Sequence, residues 1–74
     1  MGTRRATRGR TLPALREWRE RRALAQRELA EAAGLTEATI SRLETGRRGA
    51  FPSTVRKLAA TLGVTPSELY GEGG

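Results

Sequence analysis

The stretch Gln26–Arg48, QRELAEAAGLTEATISRLETGRR, constrains this chain more than any other. Leu29, Ala30 and Ala33 share one helical face, and Ile40 and Leu43 share a second one after a break. Gly34 lies at the break, where a chain reversing after a helix needs a residue that accepts positive φ without a Cβ penalty. Thr36 follows with a hydroxyl able to cap the first free N–H groups of the next helix. Ala30 and Ala33 are small enough for the two helix axes to approach closely and cross steeply. The pattern predicts two short helices joined at a tight corner, which the rest of the chain supports and aims.

At 74 residues the chain is one small domain, of a size that buries only about 60% of its unfolded surface. Cysteine and histidine are both absent, which removes disulfides, thiolate metal sites and the commonest general base. No carboxylates pair to face a cleft, so neither an enzyme nor a metal or cofactor is expected. No apolar run approaches the roughly 20 residues of a membrane span, and the arginines at the start precede no apolar h-region. The expected location is cytoplasmic, with the nucleoid. Fourteen Arg and Lys against eight Asp and Glu leave a net charge of +6. Such a balance suggests a polyanionic partner, and by itself leaves DNA, RNA and anionic membrane open.

Residues 1–10, MGTRRATRGR, carry four arginines and no acid, too little apolar surface to offset their ordering entropy. They read as a flexible Arg-rich segment: either a solvated tail, or an arm whose Arg4, Arg5, Arg8 and Arg10 order in a DNA minor groove or on phosphate. A domain over residues 11–70 follows, and 71–74 form a glycine-rich flexible tail. The first helix is expected to start near Thr11 as N-cap, with Pro13 in its opening turn and Leu12, Leu15 and Trp18 facing inward. At that spacing Trp18 is core, not a base-stacking platform. Glu17 and Arg21 stand four apart in the favourable order. Ala25 is a poor N-cap for the second helix, although Glu28 can supply half of a capping box. Gly46 stops the third helix. A fourth spans about Ser53 to Leu62, with Val55, Leu58, Ala59 and Leu62 inward. Thr65-Pro66-Ser67-Glu68 then opens a short fifth helix carrying Leu69 and Tyr70. With no strand pattern, the fold class is all-α: a compact bundle of five short helices.

From Leu15 to Leu69 the chain resembles the phage-repressor-like helix-turn-helix family, the Cro/cI or XRE type. The resemblance rests on Arg19, Gln26-Arg27-Glu28-Leu29-Ala30, the turn Gly34-Leu35-Thr36 and the helix Thr39-Ile40-Ser41-Arg42-Leu43-Glu44-Thr45-Gly46. Val55-Arg56-Lys57-Leu58-Ala59 and Leu62-Gly63-Val64 extend it. It implies a lambda-repressor-like bundle that lays its third helix in the major groove of double-stranded DNA, commonly as a dimer on a two-fold operator. It also implies an Arg19–Glu44 ion pair and a phosphate contact from Gln26. Two features depart from the pattern: Ala25 stands where a Ser, Thr or Asn cap is usual, and the link after Gly46 carries Gly49-Ala50-Phe51 before its proline.

With Ile40 taken as inward and 100° per residue, Thr36, Leu43 and Arg47 fall within about 60° of it. Ala38, Ser41, Arg42 and Thr45 lie opposite, with Glu37 and Thr39 on the flanks. The opposite face has no large apolar side chain, so the helix backbone can sink toward base edges. Arg42 suits guanine N7 and O6, Ala38 a thymine methyl, and Ser41 several bases. Glu37 can accept from a cytosine amine or simply favour the helix N-terminus. Phosphate contacts are expected from Gln26, Thr36, Thr39, Thr45, Arg47 and Arg48. The two arginines also read as surface charges. Glu44, about 40° from Ile40, is structural.

The function expected is a sequence-specific DNA-binding transcriptional regulator, a repressor acting by operator occupancy. A homodimer would read a palindrome, with Phe51, Leu69 and Tyr70 as interface candidates and Leu69 the one better read as core. The alternative is an antitoxin-type module that binds a toxin or another regulator and autoregulates through DNA. No long apolar extension supports it. RNA binding by the arginine arm is disfavoured by the shortage of stacking aromatics. A bundle with a merely solvated basic surface is the plainest alternative.

Overall fold

The computed structural model describes residues 9–72. Five helices follow one another: α1 Leu15–Arg21, α2 Gln26–Ala33, α3 Glu37–Thr45, α4 Pro52–Leu62 and α5 Pro66–Leu69. One isolated antiparallel bridge joins Arg10 to Ala50.

The corner between α2 and α3 forms as its residues dictate. Gly34 ends α2 at φ 74° and Gly46 ends α3 at φ 78°. A Cβ at either position would meet nothing within 4 Å, so the left-handed backbone, and not crowding, calls for glycine there. Thr36 Oγ1 accepts from the Thr39 amide at 3.1 Å, which satisfies one of the orphan donors of α3. At α2 only half a capping box exists: the Ala25 amide donates to Glu28 Oε1 at 2.7 Å, and alanine has no group to return the bond. At α5 the box is complete, with Thr65 N to Glu68 Oε1 at 2.8 Å and Glu68 N to Thr65 Oγ1 at 3.2 Å.

The start of α1 differs from the sequence expectation. Thr11 caps nothing; Leu12 to Ala14 instead make a turn in which Leu15 N donates to Leu12 O at 3.1 Å and Ala14 N to Leu69 O at 3.2 Å. Burying Leu12 and satisfying Ala14 from the far end of the chain outweigh a local cap. At α4 the helix begins one residue early, with Pro52 in its first turn, where a missing N–H costs nothing. A third departure closes α1. Ala23 adopts φ 58°, a conformation that costs a non-glycine residue about 1–2 kcal/mol. Its neighbours still close the end, Leu24 N donating to Arg19 O at 3.2 Å.

The core comprises Leu12, Leu15, Leu29, Ala30, Ala33, Ile40, Leu43, Ala50, Val55, Leu58, Ala59, Leu62 and Leu69, all buried. α3 packs chiefly on α2 and also on α1, while α4 packs on α2 and α5. Trp18 is half-buried against this cluster. Its indole N–H donates to Glu68 O at 3.3 Å, and the Arg21 and Arg22 guanidiniums lie 4.7 and 5.3 Å from its ring centroid. The indole therefore serves the fold. Arg22 Nε in turn donates to Leu62 O at 2.8 Å, a cation at the negative end of α4.

Ala23→Gly is expected to raise stability by about 1 kcal/mol, measurable as a shift in the urea midpoint at constant m-value.

Candidate nucleic-acid interface

The presentation of α3 depends on a polar cluster beneath its C-terminal half. Glu44 and Arg19 keep only 4% and 11% of their side chains exposed. Arg19 Nε donates to Glu44 Oε2 at 2.5 Å and Nη2 to Oε1 at 3.2 Å, a two-pronged pair. Nη1 of the same guanidinium donates to Leu24 O at 2.8 Å, and Gln26 Nε2 donates to Glu44 Oε1 at 3.0 Å. The carboxylate thus ties α3 to α1 and to the first residue of α2, and Arg19 extends the cluster to the bend after α1. Hydrogen bonding to Glu44 raises the Arg19 pKa above its ordinary value, against the opposing effect of burial.

With α3 held from below, its other side faces outward. Glu37, Ala38 and Arg42 are exposed and Ser41 is half-buried. Ala38, Ser41, Arg42, Thr45 and Arg47 line a single open depression. The helical wheel had carried Arg47 toward the core. The positive φ of Gly46 ends the helix before Arg47 and redirects it to this depression. Thr45 Oγ1 donates back to Ser41 O at 3.1 Å, which spends its one proton within α3, so that a phosphate contact requires the hydroxyl to turn. Arg48, also exposed, borders a different depression with Leu35, Thr39, Phe51 and Thr54. The structure therefore separates the two link arginines onto different sides of α3.

The other expected phosphate contacts are partly occupied. The Gln26 amide is engaged by Glu44, and the Thr36 and Thr39 hydroxyls lie 2.9 Å apart in the cap of α3. Arg10 does not lie in a free arm: its backbone pairs with Ala50 and its guanidinium with Glu72 at 2.8 Å. Arg4, Arg5 and Arg8 lie outside the described residues. Of the apolar interface candidates, Phe51 is 52% exposed, Leu69 is buried and Tyr70 is half-buried beneath Arg10.

The acidic residues divide in an informative way. All eight are Glu, and Glu17, Glu20, Glu31, Glu44 and Glu72 pair with arginines. Glu28 and Glu68 serve as caps. Among the described residues only Glu37 makes no such bond, and no ion pair reaches Arg42, Arg47 or Arg48. Internal pairing cancels most of the charge on α1 and α2 and leaves Arg42, Arg47 and Arg48 on α3 and its link unpaired, as are Arg22, Arg56 and Lys57. The Gln26–Glu44 bond escaped sequence reasoning; Gln26 at the start of one helix and Glu44 at the end of the next give no local signal of contact.

The helix-turn-helix domain family matches residues 13–69, a span that holds the corner, the buried pair and the exposed face of α3. The chain belongs to this helix-turn-helix family. It is similar to the HTH-type transcriptional regulator RghRB of Bacillus subtilis (strain 168), 44% identical over 61 residues, covering 81% of this chain and 44% of the relative. The HTH-type transcriptional repressor RghR of the same organism is 41% identical over 61 residues, covering 81% of this chain and 45% of the relative. The HTH-type transcriptional regulator PuuR of Escherichia coli (strain K12) is 38% identical over 58 residues, covering 78% of this chain and 31% of the relative. The helix-turn-helix chain thus spans less than half the length of these curated relatives. Among its described residues no helix is long and apolar enough to cross a membrane.

Glu44→Ala strands the Arg19 guanidinium and is expected to cost about 3–5 kcal/mol, enough to unfold much of a domain this small, as thermal melting will show. Gln26→Glu sets a second carboxylate against Glu44, so it is expected to lower the melting midpoint as well as DNA affinity, whereas Gln26→Ala spares more of the stability. Because the folded-state pKa of Arg19 is raised, its part of the pair's stability is complete below arginine's ordinary pKa and is lost only as pH rises through the higher value. Melting curves across neutral and mildly alkaline pH are expected to show no loss from this group.

Proposed function

We propose that this chain is a sequence-specific double-stranded-DNA-binding transcriptional regulator that represses by occupying its operator, with α3 inserted in the major groove. One observation carries the reading most directly: the outward side of α3 presents Glu37, Ala38, Ser41 and Arg42 without any bulky apolar side chain. The protein's own ion pairs leave Arg42 and Glu37 unengaged. The relatives' names as transcriptional regulators and a repressor agree with it.

In this reading Arg42 gives two parallel donors to guanine N7 and O6, discriminating by about 1–3 kcal/mol. Ala38 touches a thymine methyl, Ser41 reads an adjacent edge and Glu37 accepts from a cytosine amine. Arg47 holds phosphate on one side of the helix and Arg48 on the other, and Thr45 joins Arg47 when its hydroxyl turns from Ser41 O to the phosphate. Gln26, Thr36 and Thr39 contribute from the edge of the corner, with the N–H groups at the start of α2 beside Gln26. A single α3 spans few base pairs. Two copies paired through the exposed Phe51 side would set two recognition helices about 34 Å apart on a two-fold site.

Selection of bound duplexes from a random pool tests the proposal. Arg42→Ala is expected to relax preference at one G·C pair, while Arg47→Ala weakens all sites alike and lowers the slope of log affinity against log salt by about 1. An unchanged base preference for Arg42→Ala overturns the readout assignment.

A further inference from the structure

The link between α3 and α4 is fastened at both ends, and its second fastening comes from the far end of the sequence. At the first end the Arg47 amide donates to Arg42 O at 3.0 Å, closing α3. At the second, Arg10 and Ala50 exchange both backbone bonds: Arg10 N to Ala50 O at 3.1 Å and Ala50 N to Arg10 O at 2.8 Å. Arg48 and Gly49 span the interval. The approach is close enough that a Cβ on Gly9 would lie 2.9 Å from the Ala50 carbonyl, and one on Gly49 would lie 2.8 Å from the Gly9 carbonyl carbon. Arg10 is itself anchored, its guanidinium 3.8 Å from the Tyr70 ring centroid and 2.8 Å from Glu72 Oε2.

We infer that the Gly9–Arg10 segment is a strap, with Arg10 a positioning residue that fixes the α3–α4 link and so aims Arg47 and Arg48 at the DNA backbone. The inference rests on the phosphate role proposed above for those two arginines. The physical need is plain. Link residues without a partner of their own would have to be ordered at the moment of binding, which costs conformational entropy for each long side chain immobilised. Pairing Ala50 with Arg10 orders the link's exit beforehand. Fixing the exit to the turn after α5 through Tyr70 and Glu72 keeps the strap from sliding. Arg10 therefore acts on DNA through the link, its own charge being satisfied by Glu72.

Gly9→Val separates the strap from the link without altering any charge, since both its φ of 124° and its contact with Ala50 forbid the side chain. The expected result is faster hydrogen exchange at the Ala50 amide, an unchanged melting midpoint and about tenfold weaker duplex binding. The salt slope should fall by up to about 2 as both arginines lose their phosphates. In an Arg47→Ala/Arg48→Ala background the same substitution should cost nothing further. Affinity unchanged despite an opened Ala50 amide overturns the inference, as does an equal loss in both backgrounds, which would mean that the N-terminal segment binds DNA itself. Should Gly9→Val depress the melting midpoint, Glu72→Ala removes the acceptor that holds Arg10 while leaving the backbone untouched, and the same exchange and background comparison decide. If Arg47→Ala/Arg48→Ala leaves affinity and slope unaltered, the phosphate reading fails and takes the strap's role with it. If that variant binds poorly while Gly9→Val binds normally, only the strap is wrong.

Discussion

A single buried carboxylate organises this domain. Glu44 accepts from two nitrogens of Arg19 and from the Gln26 amide, and Arg19 spends its remaining reach on Leu24 O. Removing an ion pair from water costs several kcal/mol per charge unless hydrogen bonds satisfy what is left. Here they do: among the described residues no buried side-chain nitrogen or oxygen lacks a partner. Helices of seven to nine residues, as α1, α2 and α3 are, would be marginal alone in water. The cluster gives all three a common point of attachment that apolar packing, without direction, would not specify.

Orientation of α3 is what this attachment determines. Ile40 and Leu43 bury one side of the helix, but two apolar contacts leave it free to roll or slide. Glu44, near the same side and one turn beyond Ile40, fixes the rotation. Gly34 and Gly46 then set where the helix begins and ends. The outward side of α3 is therefore positioned by the cluster beneath it, which is what the proposed reading of bases by that side requires.

Charge follows the same division. Pairs four apart on α1 and α2, Arg16 with Glu20, Arg21 with Glu17 and Arg27 with Glu31, are exposed and contribute little stability. Their effect is to cancel much of the charge on α1 and α2; among the described residues the cations outside any ion pair are Arg22, Arg42, Arg47, Arg48, Arg56 and Lys57, three of them on α3 and its link. The glutamates that cap helices or pair with arginines are removed from the count of available acids, which is why Glu37 stands out on the face that remains.

The helix corner, the five helices, their glycine stops and the inward faces were all legible in the sequence, because each depends on residues within one or two turns of each other. So was the division of α3 into a buried and an outward side, which follows from helical period alone. Tertiary structure decided what sequence-local rules could not reach. It moved the start of α1 past Thr11, because Leu12 had a core to enter and Ala14 a distant carbonyl to meet. It joined Gln26 to Glu44 and Arg10 to Ala50, contacts across 18 and 40 residues that exist only once the helices have packed. Local stereochemistry chooses the elements; the distances between them are set by the burial and hydrogen bonding of the whole chain.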